Sequence, residues 1–195
     1  ISYDPARDFS AVASLGIVPN LLVTGTTTGI RSVDGLVALA KTKLLNYASA
    51  GVGSASHWAA ERFRVSAGIE AVHIPFRGGP DATIQTIAGA IDFYLPGMTN
   101  AKTYARDGRF VPLAVSTPKR SSAMPEVPTL LELGYKNADY TYWNGIFVPS
   151  KTPRDIVMRL HNETTEALKH ELVVTKFTAQ GIEPMPLTPE EFDAL

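Results

Sequence analysis

Residues 45–57 read Leu45-Asn46-Tyr47-Ala48-Ser49-Ala50-Gly51-Val52-Gly53-Ser54-Ala55-Ser56-His57. A short apolar run leads into a glycine-rich turn and then into a helical pattern, which predicts a strand-turn-helix junction. The first N–H groups of a helix lack partners within the helix and carry partial positive charge, so such a junction suits an anion. Gly51 and Gly53 let the backbone approach a ligand closely, and the serine hydroxyls add further donors.

The residue types in this turn favour a small carboxylate over a nucleotide. The turn has no lysine or arginine and no Gly-Lys-Ser/Thr motif, and Ser56 stands where a dinucleotide fingerprint needs its third glycine. The same residues also fit a purely structural turn with Ser54 as the helix N-cap. His57 could orient an anion or pack beside Trp58. The ligand-binding residues predicted here are Ser49, Ala50, Gly51, Val52, Gly53, Ser54 and His57.

The composition excludes several function classes. The chain has 195 residues, 45% of them hydrophobic, and its 18 basic and 19 acidic residues leave a net charge of −1, so we expect no nucleic-acid partner. It has no cysteine, which excludes disulfide scaffolds and thiolate metal sites. No His/Glu metal set is evident either, and we expect neither a metal nor a cofactor. No apolar run approaches the roughly 20 residues of a membrane span.

Strand and helix patterns alternate over the first part of the chain. Apolar runs predict strands at 21–23, 72–76, 91–95 and 111–115, and another strand that begins at Leu45. Amphipathic stretches predict helices at 32–43, 81–88 and 99–107, and another helix that follows the glycine-rich turn and ends at Ala67. This alternation is typical of an α/β fold with a parallel sheet covered on both faces. Ligands of such sheets bind at the carboxyl ends of the strands, where the glycine-rich turn lies.

A second turn opens the next helix. In Arg77-Gly78-Gly79-Pro80-Asp81, the N–H groups at Gly78 and Gly79 could form a second rim of the site. Arg77 could act as a counter-ion there or be solvated. His73, within an apolar strand, is predicted to be a hydrogen-bonded buried histidine and not a ligand.

The C-terminal part is expected to be helical. A short helix is predicted at 129–133, and a long one with Thr152 as N-cap and Pro153 in its first turn. Its predicted buried face is Ile156, Leu160, Thr164, Ala167 and Leu168. Thr188-Pro189-Glu190-Glu191 forms a capping box close to the last residue, so we expect the C-terminus to be cut short.

Ten ordered blocks of sequence resemble the Bug-type receptors, the extracytoplasmic solute-binding proteins of tripartite tricarboxylate transporters. The blocks are Tyr3 to Phe9, Pro19 to Val23, Asn46 to Ser54 with His57, His73 to Gly78, Ala88 to Asp92, Leu113 to Ser116, Arg120-Ser121, Pro125 to Thr129, Trp143 with Gly145, and Thr188 to Phe192.

The resemblance implies an α/β fold like that of type II periplasmic binding proteins, with two lobes joined by a hinge. Residues 24–115 would form lobe two, with a return boundary as late as 145, and residues 1–23 and 116–195 would be the remaining parts of a lobe one truncated at both ends. It also implies an exported, periplasmic, monomeric receptor that holds a small organic acid largely through backbone amides. The implied partners are the membrane permease subunits of the transporter.

Two other functions remain open from the residues. The chain could be the effector-sensing domain of a transcription regulator, which can share this architecture. A serine hydrolase using Ser54, His57 and Asp92 is the other alternative, but the G-x-S-x-G elbow is missing, so we expect no enzyme. Which dicarboxylate, tricarboxylate or related acid is bound does not follow from the sequence.

Overall fold

The computed structural model describes residues 2–195, which form two compact units. The first unit combines the chain up to Val18 with Trp143–Leu195, and the second unit is Pro19–Tyr142. The predicted lobe limits at residues 24 and 115 both lie within the second unit, and its identification with a binding-protein lobe stays a prediction.

The second unit is built on a five-stranded sheet in the order β4-β3-β5-β2-β6. Its strands are β2 (Leu21–Gly25), β3 (Leu45–Ser49), β4 (Ala71–Pro75), β5 (Phe93–Tyr94) and β6 (Phe110–Val115). Its helices are α2 (Val33–Ala40), α3 (Ala55–Ala67), α4 (Gly79–Ile87) and α5 (Met98–Arg106), and a short 3-10 turn covers Thr26–Thr28.

The prediction of an all-parallel sheet is wrong for β2. Strand β3 runs parallel to β4 and β5, whereas β2 pairs antiparallel with both β5 and β6. Apolar periodicity indicates which residues are buried but not the direction of a strand. A helix between two strands of one sheet normally makes them parallel. No helix lies between β1 and β2, so this rule does not fix the direction of β2.

The core of the second unit lies between the sheet and helices α2 and α3. Leu36 of α2 and Phe63 of α3 are fully buried, as are Leu22, Leu45 and Phe93 of the sheet. Helix α3 begins after Ser54, whose hydroxyl accepts from the His57 N–H, and ends at the left-handed Gly68. The predicted N-cap and stop of this helix are therefore confirmed, and they hold the glycine-rich turn at one end of the sheet.

The first unit contains α1 (Pro5–Asp8), β1 (Phe9–Pro19), β7 (Thr141–Pro149), α6 (Arg154–Lys169), α7 (Glu171–Gln180) and α8 (Pro189–Asp193), and β1 pairs with β7. Val12 and Val157 lie at its core. The capping box is present: the Glu191 N–H donates to the Thr188 hydroxyl at 3.2 Å, and Glu191 accepts from the Thr188 N–H at 2.8 Å.

Three details of the C-terminal prediction are wrong. Residues 129–133 form hydrogen-bonded turns and not a helix. Helix α6 has Pro153 as its N-cap with no side-chain cap. Its buried stripe is centred on Val157, while Ile156 and Leu160 are 46% and 39% exposed. Apolar residues lie on two adjacent stripes of this helix, so periodicity alone could not choose between faces offset by one residue.

Within residues 2–195, every helix is too short or too polar to cross a lipid bilayer.

Candidate functional site

Two strand-to-helix junctions of the second unit meet at one edge of its sheet. Strands β3 and β4 are parallel neighbours, with Ser49 beside Pro75, so both chains leave the sheet at the same end. The Phe76 N–H donates to the Ser49 carbonyl at 3.0 Å, and a Cβ on Gly51 would lie 3.6 Å from the Phe76 carbonyl oxygen. The sheet therefore brings together the glycine turn, residues 49–54, and the second turn, residues 77–79.

The glycine turn depends on two residues in conformations that other L-amino acids avoid. Gly51 has φ +128° and Gly53 has φ +80°. Ser54 then returns to extended geometry and caps α3. This sequence of conformations turns the chain from the end of β3 into the start of α3.

Most N–H groups of the glycine turn already donate hydrogen bonds to the turn itself or to the first residues of α3. The Ala50 N–H donates to the Ser56 hydroxyl at 3.0 Å, the Gly51 N–H to the Ser49 hydroxyl at 3.1 Å, and the Gly53 N–H to Nδ1 of His57 at 3.1 Å. The Ser54 N–H donates to the Gly51 carbonyl at 3.2 Å. These bonds hold the turn in shape and leave those four donors unavailable to a ligand unless it displaces a partner.

Three neighbouring N–H groups, on Val52, Ala55 and Ser56, have no acceptor among the hydrogen bonds of the described residues. Ala55 and Ser56 begin α3, a helix of 13 residues, and so add its dipole to their own partial charge. The ligand-binding residues predicted from the sequence included Val52 but not Ala55 and Ser56, although an N-cap at Ser54 makes these the first two residues of the helix.

The charges near the two helices favour the start of α3 for an anion. Helix α3 has no acidic residue in its first turn, whereas α4 has Asp81 there. Gly78 is the N-cap of α4 and provides no side-chain cap, and Arg77 before it is exposed. An anion at the start of α4 would lie close to the Asp81 carboxylate, so Gly78 and Gly79 fit the rim of a site better than its centre.

Tyr94 links the two turns and was missed by sequence reasoning. Its side chain is 1% exposed, its hydroxyl lies close to Ser56, and a Cβ on Gly79 would lie 3.7 Å from its oxygen. Burial raises the pKa of Tyr94, so the group stays a neutral hydroxyl. The available signal was its position at the carboxyl end of β5, the other parallel neighbour of β3.

Two imidazoles support the glycine turn from below. The rings of His57 and His73 stack with centroids 4.1 Å apart at an interplanar angle of 13°, and His73 also stacks on Tyr47 at 4.9 Å. Nε2 of His73 lies 2.7 Å from the Ser49 hydroxyl. Burial, and then the neighbouring His57, lower the pKa of His73. His73 is therefore hydrogen-bonded as predicted, but it is only partly buried and supports the turn directly.

An ion pair lies behind this stack. The Tyr47 hydroxyl donates to Glu61, and Arg64 contacts the same carboxylate through Nε at 3.0 Å and Nη2 at 2.9 Å. The Arg64 hydrogen bonds are the main reason that the pKa of Glu61 is lowered. Burial is the main reason that the pKa of Tyr47 is raised. The network fixes the Tyr47 ring on which His73 stacks.

The structure does not assemble a hydrolytic triad from Ser54, His57 and Asp92. The Ser54 hydroxyl donates to the Gly51 carbonyl at 2.7 Å, and its contact with His57 is to the backbone N–H and not to the imidazole. Asp92 accepts from Lys43 and from the Asn46 N–H at 2.9 and 2.7 Å. Among residues 2–195, no group of three His, Cys, Asp or Glu side chains is placed to hold a metal ion.

Two cavities accompany these elements, one in each unit. An open cleft of about 700 Å³ follows α3 and includes His57, Glu61 and Lys136 in its wall. A groove of about 480 Å³ in the first unit is lined mainly by apolar side chains, among them Leu168, Phe177 and Ile182. The apolar lining of that groove does not suit a carboxylate.

Comparison with known proteins identifies the family. Residues 1–193 match the TctC family, described as "Tripartite tricarboxylate transporter family receptor". The chain is 31% identical over 193 residues to BugT of Bordetella pertussis, covering 98% of this chain and 59% of BugT. It is 31% identical over 193 residues to a UPF0065 protein of Pseudomonas sp. strain P51, of which it covers 57%. The chain thus spans less than two thirds of these relatives.

Solved structures give the same result for the fold. An R. palustris protein solved with adipate superposes with a TM-score of 0.92 at 28% identity, over 98% of this chain and 65% of that one. MatC from Rhodopseudomonas palustris, solved with bound malate, superposes with a TM-score of 0.89 at 27% identity, over 99% of this chain and 67% of that one.

Proposed function

The chain belongs to the family of tripartite tricarboxylate transporter receptors, and from that premise we propose that it binds a small organic acid anion through the N–H groups at the start of α3. The observation that carries the proposal is the set of three N–H groups, on Val52, Ala55 and Ser56, without an acceptor at a helix start that has no acidic residue. A carboxylate oxygen accepts such donors without any side-chain cation.

The class of ligand is proposed from the relatives. Two of the similar proteins were solved with adipate and with malate, both dicarboxylates, so a dicarboxylate is the first ligand class to test. One carboxylate would accept from the free N–H groups of α3. Gly78, Gly79 and the neutral Tyr94 hydroxyl would complete the rim, because Tyr94 contacts Ser56 and approaches Gly79.

The role in the cell follows the family. We propose a periplasmic receptor that passes its ligand to the membrane permease subunits of a transporter, without making or breaking a covalent bond. The second unit would be the ligand-binding lobe. The alternatives of a hydrolase and of a regulator's sensing domain gain no support: Ser54, His57 and Asp92 are not brought together, and the family match is to transport receptors.

Titration with adipate and malate, followed by isothermal calorimetry and by backbone amide NMR, tests this proposal. We expect saturable binding, with the largest amide shifts at Val52, Ala55 and Ser56. Adipamide, in which uncharged amide groups of nearly the same size replace both carboxylates of adipate, is the matched control and is expected not to bind. Saturable binding with shifts confined to the first unit, for example around Phe177, would contradict the proposed site.

A further inference from the structure

The glycine turn owes its shape to side chains that lie outside it. Nδ1 of His57 accepts from the Gly53 N–H at 3.1 Å, and Nε2 of His73 lies 2.7 Å from the Ser49 hydroxyl. That hydroxyl in turn bonds with both the N–H and the carbonyl of Gly51, at 3.1 and 3.0 Å. One imidazole therefore holds each end of the turn, and the two rings are stacked on each other at 4.1 Å.

We propose that His57 and His73 are positioning residues that fix the glycine turn for anion binding, with neutral His57 as the acceptor that orients Gly53. This inference rests on the proposed function, because it assigns a role at the same site. It does not require either imidazole to touch the ligand. The His57 bond takes the Gly53 N–H out of the ligand's reach and fixes the direction of the following amides.

The protonation state decides whether His57 can do this. A neutral imidazole accepts at Nδ1 only when its proton is on Nε2, and a protonated imidazole has no acceptor. Protonation would therefore break the bond to the Gly53 N–H and release the turn. Burial, and then the charge of His57, lower the pKa of His73, so His73 favours its neutral form.

Titratable groups lie close to His57. The Arg64 hydrogen bonds and, more weakly, the charge of His57 lower the pKa of Glu61, and burial followed by the charge of His57 lowers the pKa of His73. The titratable groups stacked near His57 are Tyr47 on β3 and His73 on β4. Glu61 and Arg62 on α3, and Lys136, line the same cleft as His57. Arg62 lies 3.7 Å from Asp139, and Glu61 is bonded to Arg64.

Two substitutions of His57 distinguish the effect of its hydrogen bond from the effect of its stacked ring. His57→Asn keeps an acceptor oxygen near the position of Nδ1 but cannot be protonated, and His57→Phe keeps a stacking ring but has no acceptor. We expect His57→Phe to weaken adipate binding about tenfold and His57→Asn to stay within about threefold of the native protein. Trp58→Phe, at the next residue, is the matched control and is expected to leave affinity unchanged.

The pH profile adds a measurement that a merely structural role would not change. Protonation of His57 removes the acceptor that holds the Gly53 N–H, so native affinity is expected to fall between about pH 8 and pH 6, by no more than the roughly tenfold loss expected for His57→Phe. Adipate keeps at least one carboxylate fully ionised over this range, since carboxyl groups first titrate well below it. The affinity of His57→Asn is expected to be constant over the same range.

Amide NMR of the ligand-free protein separates this inference from the proposed function. We expect the Gly53 amide resonance to shift between about pH 8 and pH 6 in the native protein, because its hydrogen bond to Nδ1 is lost on acidification, and to be independent of pH in His57→Asn. If the Gly53 amide shows this pH dependence but neither adipate nor malate binds, the proposed function is wrong, and the two histidines then have no ligand to position. If adipate binds, the inference is overturned by equal losses in the Asn and Phe variants, or by an affinity that rises on acidification.

Discussion

Replacing Gly53 with valine tests whether the shape of the glycine turn carries ligand binding. Gly53 has φ +80°, and no atom lies within 4 Å of an added Cβ, so the substitution causes no collision and acts only through the backbone. A β-branched residue in the left-handed region costs about 1–3 kcal/mol. Because the turn is exposed, it can relieve this strain by changing conformation while the sheet stays intact.

The loss in affinity should equal the cost of restoring the native turn. At about 1.4 kcal/mol per tenfold change, we expect Gly53→Val to weaken adipate binding about fivefold to a hundredfold, measured by calorimetry. Gly53→Asn should lose much less, since asparagine tolerates this region. Circular dichroism should be nearly unchanged in both variants.

Gly68 provides the matched control at the other end of α3. It has φ +61° and an equally open Cβ position, but it caps the helix far along the chain from the turn. Gly68→Val is therefore expected to lower the thermal midpoint and leave affinity unchanged. Native affinity in Gly53→Val would refute the assignment of the anion to this turn. Equal losses in the valine and asparagine variants would refute the argument from backbone strain.

Three further outcomes are expected. Ser54→Ala removes the N-cap of α3 and should lower the free energy of unfolding by about 1 kcal/mol in urea denaturation; no change would mean that the 3.4 Å contact is not a cap bond. Burial and the bond to Asp34 raise the pKa of Tyr135 to about 12. The stability that native Tyr135 adds over Tyr135→Phe should be complete below about pH 10 and disappear as pH rises to about 12, measured by denaturation at each pH. Gly145→Ala places a Cβ 2.2 Å from the Phe192 ring, so it should lower the free energy of unfolding by about 1–3 kcal/mol, and an unchanged thermal midpoint would contradict that packing.

The sequence predicted the order of the elements well and the direction of one strand badly. Gly68 ends α3 and the capping box at Thr188 starts α8, because such signals depend only on neighbours along the chain. Strand β2 is buried at every position, which apolar residues predict, but its antiparallel pairing with β6 depends on a long-range contact. The buried face of α6 was missed because Ile156 and Val157 are both apolar and only the tertiary contacts select Val157.

The candidate site could be located from the sequence, but its free donors could not. Glycines and serines after a strand mark a turn at a helix start, and the structure has that turn at 49–54. Which N–H groups remain available depends on side chains of the following helix that bond back to the turn. Ser56 accepts from the Ala50 N–H, and His57 accepts from the Gly53 N–H. Such bonds require the first turn of α3 to be in place.

The proposed binding through backbone donors would also explain why the sequence does not specify the ligand. A carboxylate held by the N–H groups of Val52, Ala55 and Ser56 contacts atoms that every non-proline residue has. Discrimination among acids must then come from side chains at the rim, such as Tyr94, and from charges nearby, such as the Asp81 carboxylate at the start of α4. A ligand that extends a second negative charge toward Asp81 would be repelled, so the orientation of a dicarboxylate follows from that residue more than from the turn that holds it.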